Sequence, residues 1–351
     1  MNRRSFICGS ASAAAFLGGC RFLKGGADTS AVRAELQRGI DERVISGAVF
    51  ATTGGIGPEA IGELSPGVAM RPDSLFDLAS VTKTFTALSC ALLYADGRLD
   101  VDAPFTEYLK DHVLARENCR ITLRDLATHT GGFDNETSKE GCKGADFLPK
   151  ILSKRPVRAR GTGFEYACYD MVILGLVVSR VSGLPLDAFC RERIFNPLGM
   201  TRTVWGPLPD DGNVVEMLAA PARGQISDFL ARGASFPVGN AGAFSTADDM
   251  LLFVDDLLAR RKFPKASYDL LFTPSYRNAD GICRSFGFDM SATTRPFGLS
   301  ERTIFHSGWT GQTICADPES GFGGVLLTGR CGDWGMAFES RRRVLGMLCM
   351  L

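Results

Sequence analysis

Phe76-Asp77-Leu78-Ala79-Ser80-Val81-Thr82-Lys83-Thr84-Phe85 is the stretch on which the reading of this chain turns. Its apolar residues continue through Leu88 and Leu92 at the spacing of one helical face, and the pattern closes near Gly97, so a helix is expected here with Ser80 at its start. Ser80 and Lys83 stand three positions apart and share a face, which lets the amine reach the hydroxyl. A serine hydroxyl attacks only when a base takes its proton. A lysine can be that base only if burial and neighbours depress its pKa. Free N–H groups at a helix start can in addition hold a developing oxyanion. An isolated S-x-x-K recurs by chance in long chains, so its setting carries the weight.

Outward from this helix, Ala31 to Arg43 has a helical pattern and Gly47 to Thr53 reads as an apolar strand. The GGIG run at 54–57 lacks the third glycine of a dinucleotide fingerprint, that place being Ala60, and is expected as a β-hairpin turn. The middle of the chain, about 115–260, carries helical patterns, among them Met171, Leu174, Val178 and Val181 ending at Gly183 and Pro185. Short β-type runs return at Ser285–Asp289, Arg302–Phe305, Thr313–Ala316 and Gly324–Thr328, and Gly335–Leu351 is helical again. The expected architecture is an α/β part built from both chain ends and interrupted by a mostly helical middle.

With 351 residues, 45% hydrophobic and 22% charged, the chain can bury a large core, and disorder is excluded. Lysine plus arginine balances aspartate plus glutamate at 39 each, so there is no net field to recruit nucleic acid. The run Arg341-Arg342-Arg343 reads as a solvated helix face. Residues 1–20 differ in composition from the rest: RRSFI resembles a twin-arginine export signal, and LGGC resembles a lipobox ending in Cys20. Cleavage and acylation at Cys20 would anchor the chain to a membrane on the periplasmic or cell-surface side. Residues 21–30 would serve as a tether, leaving 31–351 as the folded domain. Loss of Cys8 and acylation of Cys20 leave nine of the eleven cysteines, an odd number, most of them read as small buried hydrophobes. There is no C-x-x-C or H-E-x-x-H spacing, and the histidines are only His112, His129 and His306, so no metal site is expected.

The stretches ITLRDLATHTGGF (121–133), GTGFEYACYDMVILGLVVSRVSG (161–183), FNPLGMTRT (195–203), GNAGAFSTADDM (239–250) and FHSGWTGQT (305–313) accompany the S-x-x-K segment. In this order they resemble landmarks of the serine β-lactamase and penicillin-binding-protein superfamily, above all its class C β-lactamase-like branch with esterases and D,D-peptidases. The likeness runs from about residue 30 to about 340. It implies the β-lactamase/transpeptidase-like α+β fold, an antiparallel sheet flanked by helices. It also implies Ser80 as the acylated nucleophile, Lys83 as its base, and Tyr166 as the tyrosine of a Y-x-N element that shuttles a proton. His306-Ser307-Gly308 matches the K-T-G or H-x-G element. There His306 would assist the tyrosine or donate to a substrate carboxylate, and Gly308 would admit the substrate backbone. The N–H of Trp309 would complete the oxyanion hole with that of Ser80. His129 is expected as a structural turn residue. Cys168 stands where the family has asparagine, and a thiol accepts and donates hydrogen bonds poorly. Asp170 nearby is expected as a charge favourable to the helix dipole.

These readings imply acyl-enzyme hydrolysis of an ester or amide, with no cofactor. Small acyl esters and peptidoglycan-derived D-Ala peptides are favoured over β-lactams because of Cys168. A binding or sensor protein that is acylated without turning over is the alternative. No G-x-S-x-G elbow supports an α/β-hydrolase.

Overall fold

The computed structural model describes residues 27–136, 142–210, 212–218 and 220–351; the expected signal, Cys20 and residues 21–26 of the tether lie outside the described residues. Helix α1 (Ser30–Asp41) leads into β1 (Ile45–Thr52), which is buried almost throughout. The GGIG run turns the chain into β2 (Glu59–Ser65), and β1 and β2 pair antiparallel as a hairpin. After the short β3 (Val68–Ala69) the chain leaves this sheet. It returns with β9 (Ile304–Ser307), β10 (Thr313–Asp317) and β11 (Phe322–Arg330).

The strand order is β3-β2-β1-β11-β10-β9, so the first strand pairs antiparallel with the last and both chain ends build one sheet. A sheet buried on both faces needs apolar residues on both sides of each strand. On one face Val32 and Leu36 of α1 pack with Phe50, Leu326 and residues of the C-terminal helix, α6 (Trp334–Cys349). The opposite face is covered by the larger core, which includes Phe253 and Val254 of α5 (Ala247–Ala259). Helix α2 (Thr82–Ala95) is buried along nearly its whole length, and α4 (Cys168–Ser182) packs beside it. Between them in sequence lies α3 (Leu123–Ala127), started by a reciprocal cap in which Thr122 and Asp125 satisfy each other's amides.

Two expectations change. The ladder expected over Ser285–Asp289 stops earlier, in β8 (Cys283–Arg284), because the chain turns at Gly287. A side chain there would lie 2.2 Å from the Ala87 methyl on α2, in a left-handed conformation that glycine alone accepts readily. The arginine run also divides. Arg343 pairs with Glu35 and Arg342 with Glu339, but Arg341 is 2% exposed and donates to the Gly308 carbonyl at 2.9 Å. Helical geometry sends that one residue inward against the sheet, where burial pushes its guanidinium down to about 9. Six of the nine described cysteines are buried.

In the helical region His112 is held neutral by its partners. Its Nδ1 accepts from the Leu114 amide, its Nε2 lies 2.7 Å from the Tyr169 hydroxyl, and that hydroxyl donates to the Ile151 carbonyl. Burial lowers the imidazole from 6.5 to about 4. The folded state therefore refuses a proton that the unfolded chain accepts. The contribution is intact above pH 6.5 and is lost progressively as the pH falls to about 4. Urea unfolding at pH 7.5 and pH 4.5 should show a drop that shrinks by about 2–3 kcal/mol in His112→Asn; an equal drop in both proteins would contradict it.

Candidate active site

The turn before α2 is built by Asp77. Strand β4 (Phe76–Asp77) pairs with β6 (Ala243–Ser245), and the buried Asp77 carboxyl accepts from the amides of Ala79 and Ser227, each at 2.8 Å. Burial pushes this carboxyl up, against the pull of those amides. The chain then takes a positive φ of 44° at Ala79, a strained conformation for a residue with a Cβ. A single 3-10 turn, Ala79–Val81, follows. Ser80 thus stands just ahead of the α-helix proper. In such a turn residues three apart eclipse, and Lys83 Nζ donates to Ser80 Oγ at 2.9 Å.

Lys83 is fully buried, yet its amine is enclosed by polar groups. It donates to the Asn240 main-chain carbonyl at 2.7 Å and lies 3.7 Å from the Cys168 sulfur at the start of α4. Tyr166 presents its ring 5.1 Å from the amine, and Lys83 and Ser80 both act to lower the pKa of its phenol. Burial is the largest influence on Lys83 and pushes it down. Cys168, Tyr166 and Asp228 together outweigh that push, and the net direction is up, opposite to the depression expected for a base. Burial also raises the Tyr166 phenol and the Cys168 thiol, each opposed by Lys83. The three groups form one cluster in which each pKa is raised.

Behind Tyr166, at 4.6 Å between rings, lies His129, which takes a positive φ of 58°. Its Nδ1 is 3.0 Å from Asp170 Oδ2, and both side chains are buried. Asp170 is therefore no solvated charge at a helix start. Burial raises its carboxyl well above the usual range and lowers His129 well below its own.

The opposite wall is β9 and the turn after it. His306 is 3% exposed, with Nδ1 3.1 Å from the Ser307 carbonyl. A carbonyl can only accept, so Nδ1 carries the proton and Nε2 presents a lone pair. Burial, then Arg284 and Lys83, depress this imidazole well below its ordinary value. His306 Nε2 has no hydrogen-bond partner among the described residues. Gly308 meets a different neighbour from the one expected. A Cβ there would stand 2.6 Å from the Leu78 carbonyl, so the glycine lets β9 close on the nucleophile turn. Thr310 and Gln312 both donate to the Asp77 carbonyl, at 2.9 and 2.7 Å, and Arg330 donates to the Trp309 carbonyl at 2.6 Å. Among the described residues the amides of Ser80 and Trp309 are left without a main-chain carbonyl partner.

Ser80, Tyr166, Cys168, His306, Ser307, Gly308 and Trp309 line one cleft of about 790 Å³. Lys83 reaches it from beneath through Ser80. Sequence reasoning missed Asn240, Asp228, Asn135 and Arg284. Asn240 lies in the quoted GNAGAF segment; it anchors Lys83 by its carbonyl and donates its amide to Asp228 at 2.9 Å. Asn135 accepts from the Cys168 amide at 2.9 Å. Nothing local marks the others, since distant segments bring them in.

The sequence matches the family described as Beta-lactamase over residues 32–345. The chain belongs to that family. A putative D-alanyl-D-alanine carboxypeptidase of Escherichia coli O157:H7 is 26% identical over 304 residues, covering 73% of this chain and 69% of the relative. The solved structure of EstCE1, described as a hydrolase with promiscuous acyltransferase activity, superposes with a TM-score of 0.74 at 22% identity, over 91% of this chain and 98% of the other. A class C beta lactamase from Rhodobacter sphaeroides gives 0.73 at 20% identity, over 91% and 99%. This beta-lactamase-type serine hydrolase thus has the mixed fold expected, antiparallel sheet and flanking helices.

Proposed function

We propose that this chain hydrolyses an ester or amide through an acyl-enzyme on Ser80, with small acyl esters or D-Ala peptides as substrates rather than β-lactams. The observation that carries the reading is the 2.9 Å contact between Lys83 Nζ and Ser80 Oγ at the floor of a cleft large enough for a small molecule. Once the cluster has lost a proton, Ser80 Oγ attacks the substrate carbonyl carbon while its own proton passes to Lys83 or Tyr166. The oxyanion points between the amides of Ser80 and Trp309. Collapse breaks the bond to the leaving oxygen or nitrogen, which takes its proton from Tyr166. Water, deprotonated by the same cluster, then releases the acid and restores Ser80.

Cys168 supports the preference against β-lactams, because its buried thiol offers a substrate amide far weaker hydrogen bonding than an asparagine side chain. The RRSFI and LGGC elements support a setting outside the cytoplasm with a lipid anchor on Cys20.

With a 4-nitrophenyl ester, Ser80→Ala should abolish both turnover and covalent labelling by a fluorophosphonate. Lys83→Ala should slow acylation by about a hundredfold or more. Labelling that survives the Ser80 substitution sinks the assignment, and labelling without turnover in the unmodified protein selects the sensor alternative.

The pH dependence has a definite sign. Because the net direction for Lys83, Tyr166 and Cys168 is up, the reactive state is the one that has lost a proton, and it becomes populated only as pH rises. The rate of Ser80 acylation should climb from pH 7 into the alkaline range; a plateau already reached at pH 6 would mean that Lys83 is neutral there.

A further inference from the structure

A second cavity, of about 340 Å³, lies outside the acylation cleft. The short helix Phe229–Gly233 separates the two, with Phe229 lining the cleft and Ala231 and Arg232 lining the cavity. The other walls of the cavity are apolar or aromatic, chiefly Trp205, Ile226, Phe236 and Val238. Trp205 is fixed there by its Nε1, which donates to the Val238 carbonyl at 3.4 Å. Arg232 Nη1 donates to the Ile226 carbonyl at 2.6 Å and more weakly to that of Ser227 at 3.4 Å. The guanidinium carbon lies 4.7 Å from the centre of the Phe229 ring. These contacts hold the group at the cavity wall. Among the described residues its Nε and Nη2 donate to no protein group and it forms no ion pair. Asp228, the acid nearest to it in sequence, is engaged elsewhere, accepting from the Ala231 amide at 2.8 Å and from the Asn240 side-chain amide at 2.9 Å.

A cation in a half-enclosed apolar recess without a counter-charge is poorly solvated, and a bound anion offsets that cost. Nε and Nη2 form the edge of the fork that a carboxylate matches with two parallel bonds. Among the described residues Arg232 is the one charged group lining the cavity, so a single negative charge suits it and a dianion would be left half-matched. The aromatic walls suit a flat apolar body, and the volume stands at the small end of the range for ligand sites. We infer that this cavity is a second binding site, which takes a small aromatic monocarboxylate through Arg232. The occupant rests against Val238 and Ala241, on either side of Asn240, whose carbonyl holds Lys83. The site therefore shares a wall with the catalytic cluster while having no lining residue in common with the cleft.

The test is calorimetric titration of 2-naphthoate, and separately of the uncharged 2-naphthamide, into the unmodified protein. The acid should bind at least about tenfold more tightly than the amide, the value of a charged hydrogen bond. Arg232→Gln should weaken the acid about tenfold to a hundredfold and leave the amide unchanged, and Arg232→Lys should recover part of the loss. Trp309→Ala, at the mouth of the acylation cleft, should bind the acid as the unmodified protein does. No binding of the acid at millimolar concentration, or equal binding of acid and amide, overturns the site. So does a folded Arg232→Gln that keeps its affinity, and so does a loss in Trp309→Ala, which would put the acid in the cleft instead. Should Arg232→Gln fail to fold, Ala234→Phe decides, because it fills the cavity from a partly exposed position. That variant should no longer bind the acid, and retained affinity overturns the inference.

Discussion

The backbone carbonyl of Asp77 ties the two halves of the cleft together. It accepts from Thr310 and from Gln312, which come from the turn between β9 and β10, while the Asp77 carboxyl shapes the turn that presents Ser80. Gly308 removes the one atom that would hold these backbones apart. Arg341 and Arg330 brace the far side of the same turn through the carbonyls of Gly308 and Trp309. A strained residue ahead of a nucleophile persists only where its surroundings over-determine it, and here they do so from several directions. Ser80 and Trp309 come from segments more than two hundred residues apart, yet this lock brings both to the same cleft.

Charge in the cleft follows from burial as much as from residue type. His306 and His129 are pushed well below the ordinary imidazole value because desolvation and the nearby cations Arg284 and Lys83 both oppose their protonation. Lys83 goes the other way, because groups capable of negative charge surround it. Lys83 and Arg284 therefore share the work of opposing a proton on His306. Removing either changes the other's neighbourhood, and their effects should not add.

The sheet and the nucleophile segment were legible because their signals are local. S-x-x-K with its apolar helical face, the GGIG hairpin and the strand runs near both ends each depend on residues close in sequence. The strand expected through Asp289 failed because the Ala87 methyl, far off in the chain, dictates a turn at Gly287. Arg341 looked like one third of a solvated run, and only the packing of α6 on the sheet distinguishes it from Arg342 and Arg343. Asp170 failed for the same reason, its partner being a histidine forty-one residues away. Arg284 carried no motif, and its unmatched donors become visible only once the core is assembled. Family resemblance supplied the grouping of Ser80, Lys83, Tyr166 and His306, but not the direction of the Lys83 pKa or the neighbour that makes Gly308 necessary.

The central claim is that the lock between residues 77–80 and 308–312 forms an oxyanion site over an activated Ser80. The most direct measurement is a crystal structure of the enzyme after reaction with a fluorophosphonate. The account predicts phosphorus bonded to Ser80 Oγ, with the phosphoryl oxygen about 2.7–3.1 Å from the amide nitrogens of both Ser80 and Trp309. A phosphoryl oxygen turned away from Trp309, or phosphorus on another residue, would contradict it.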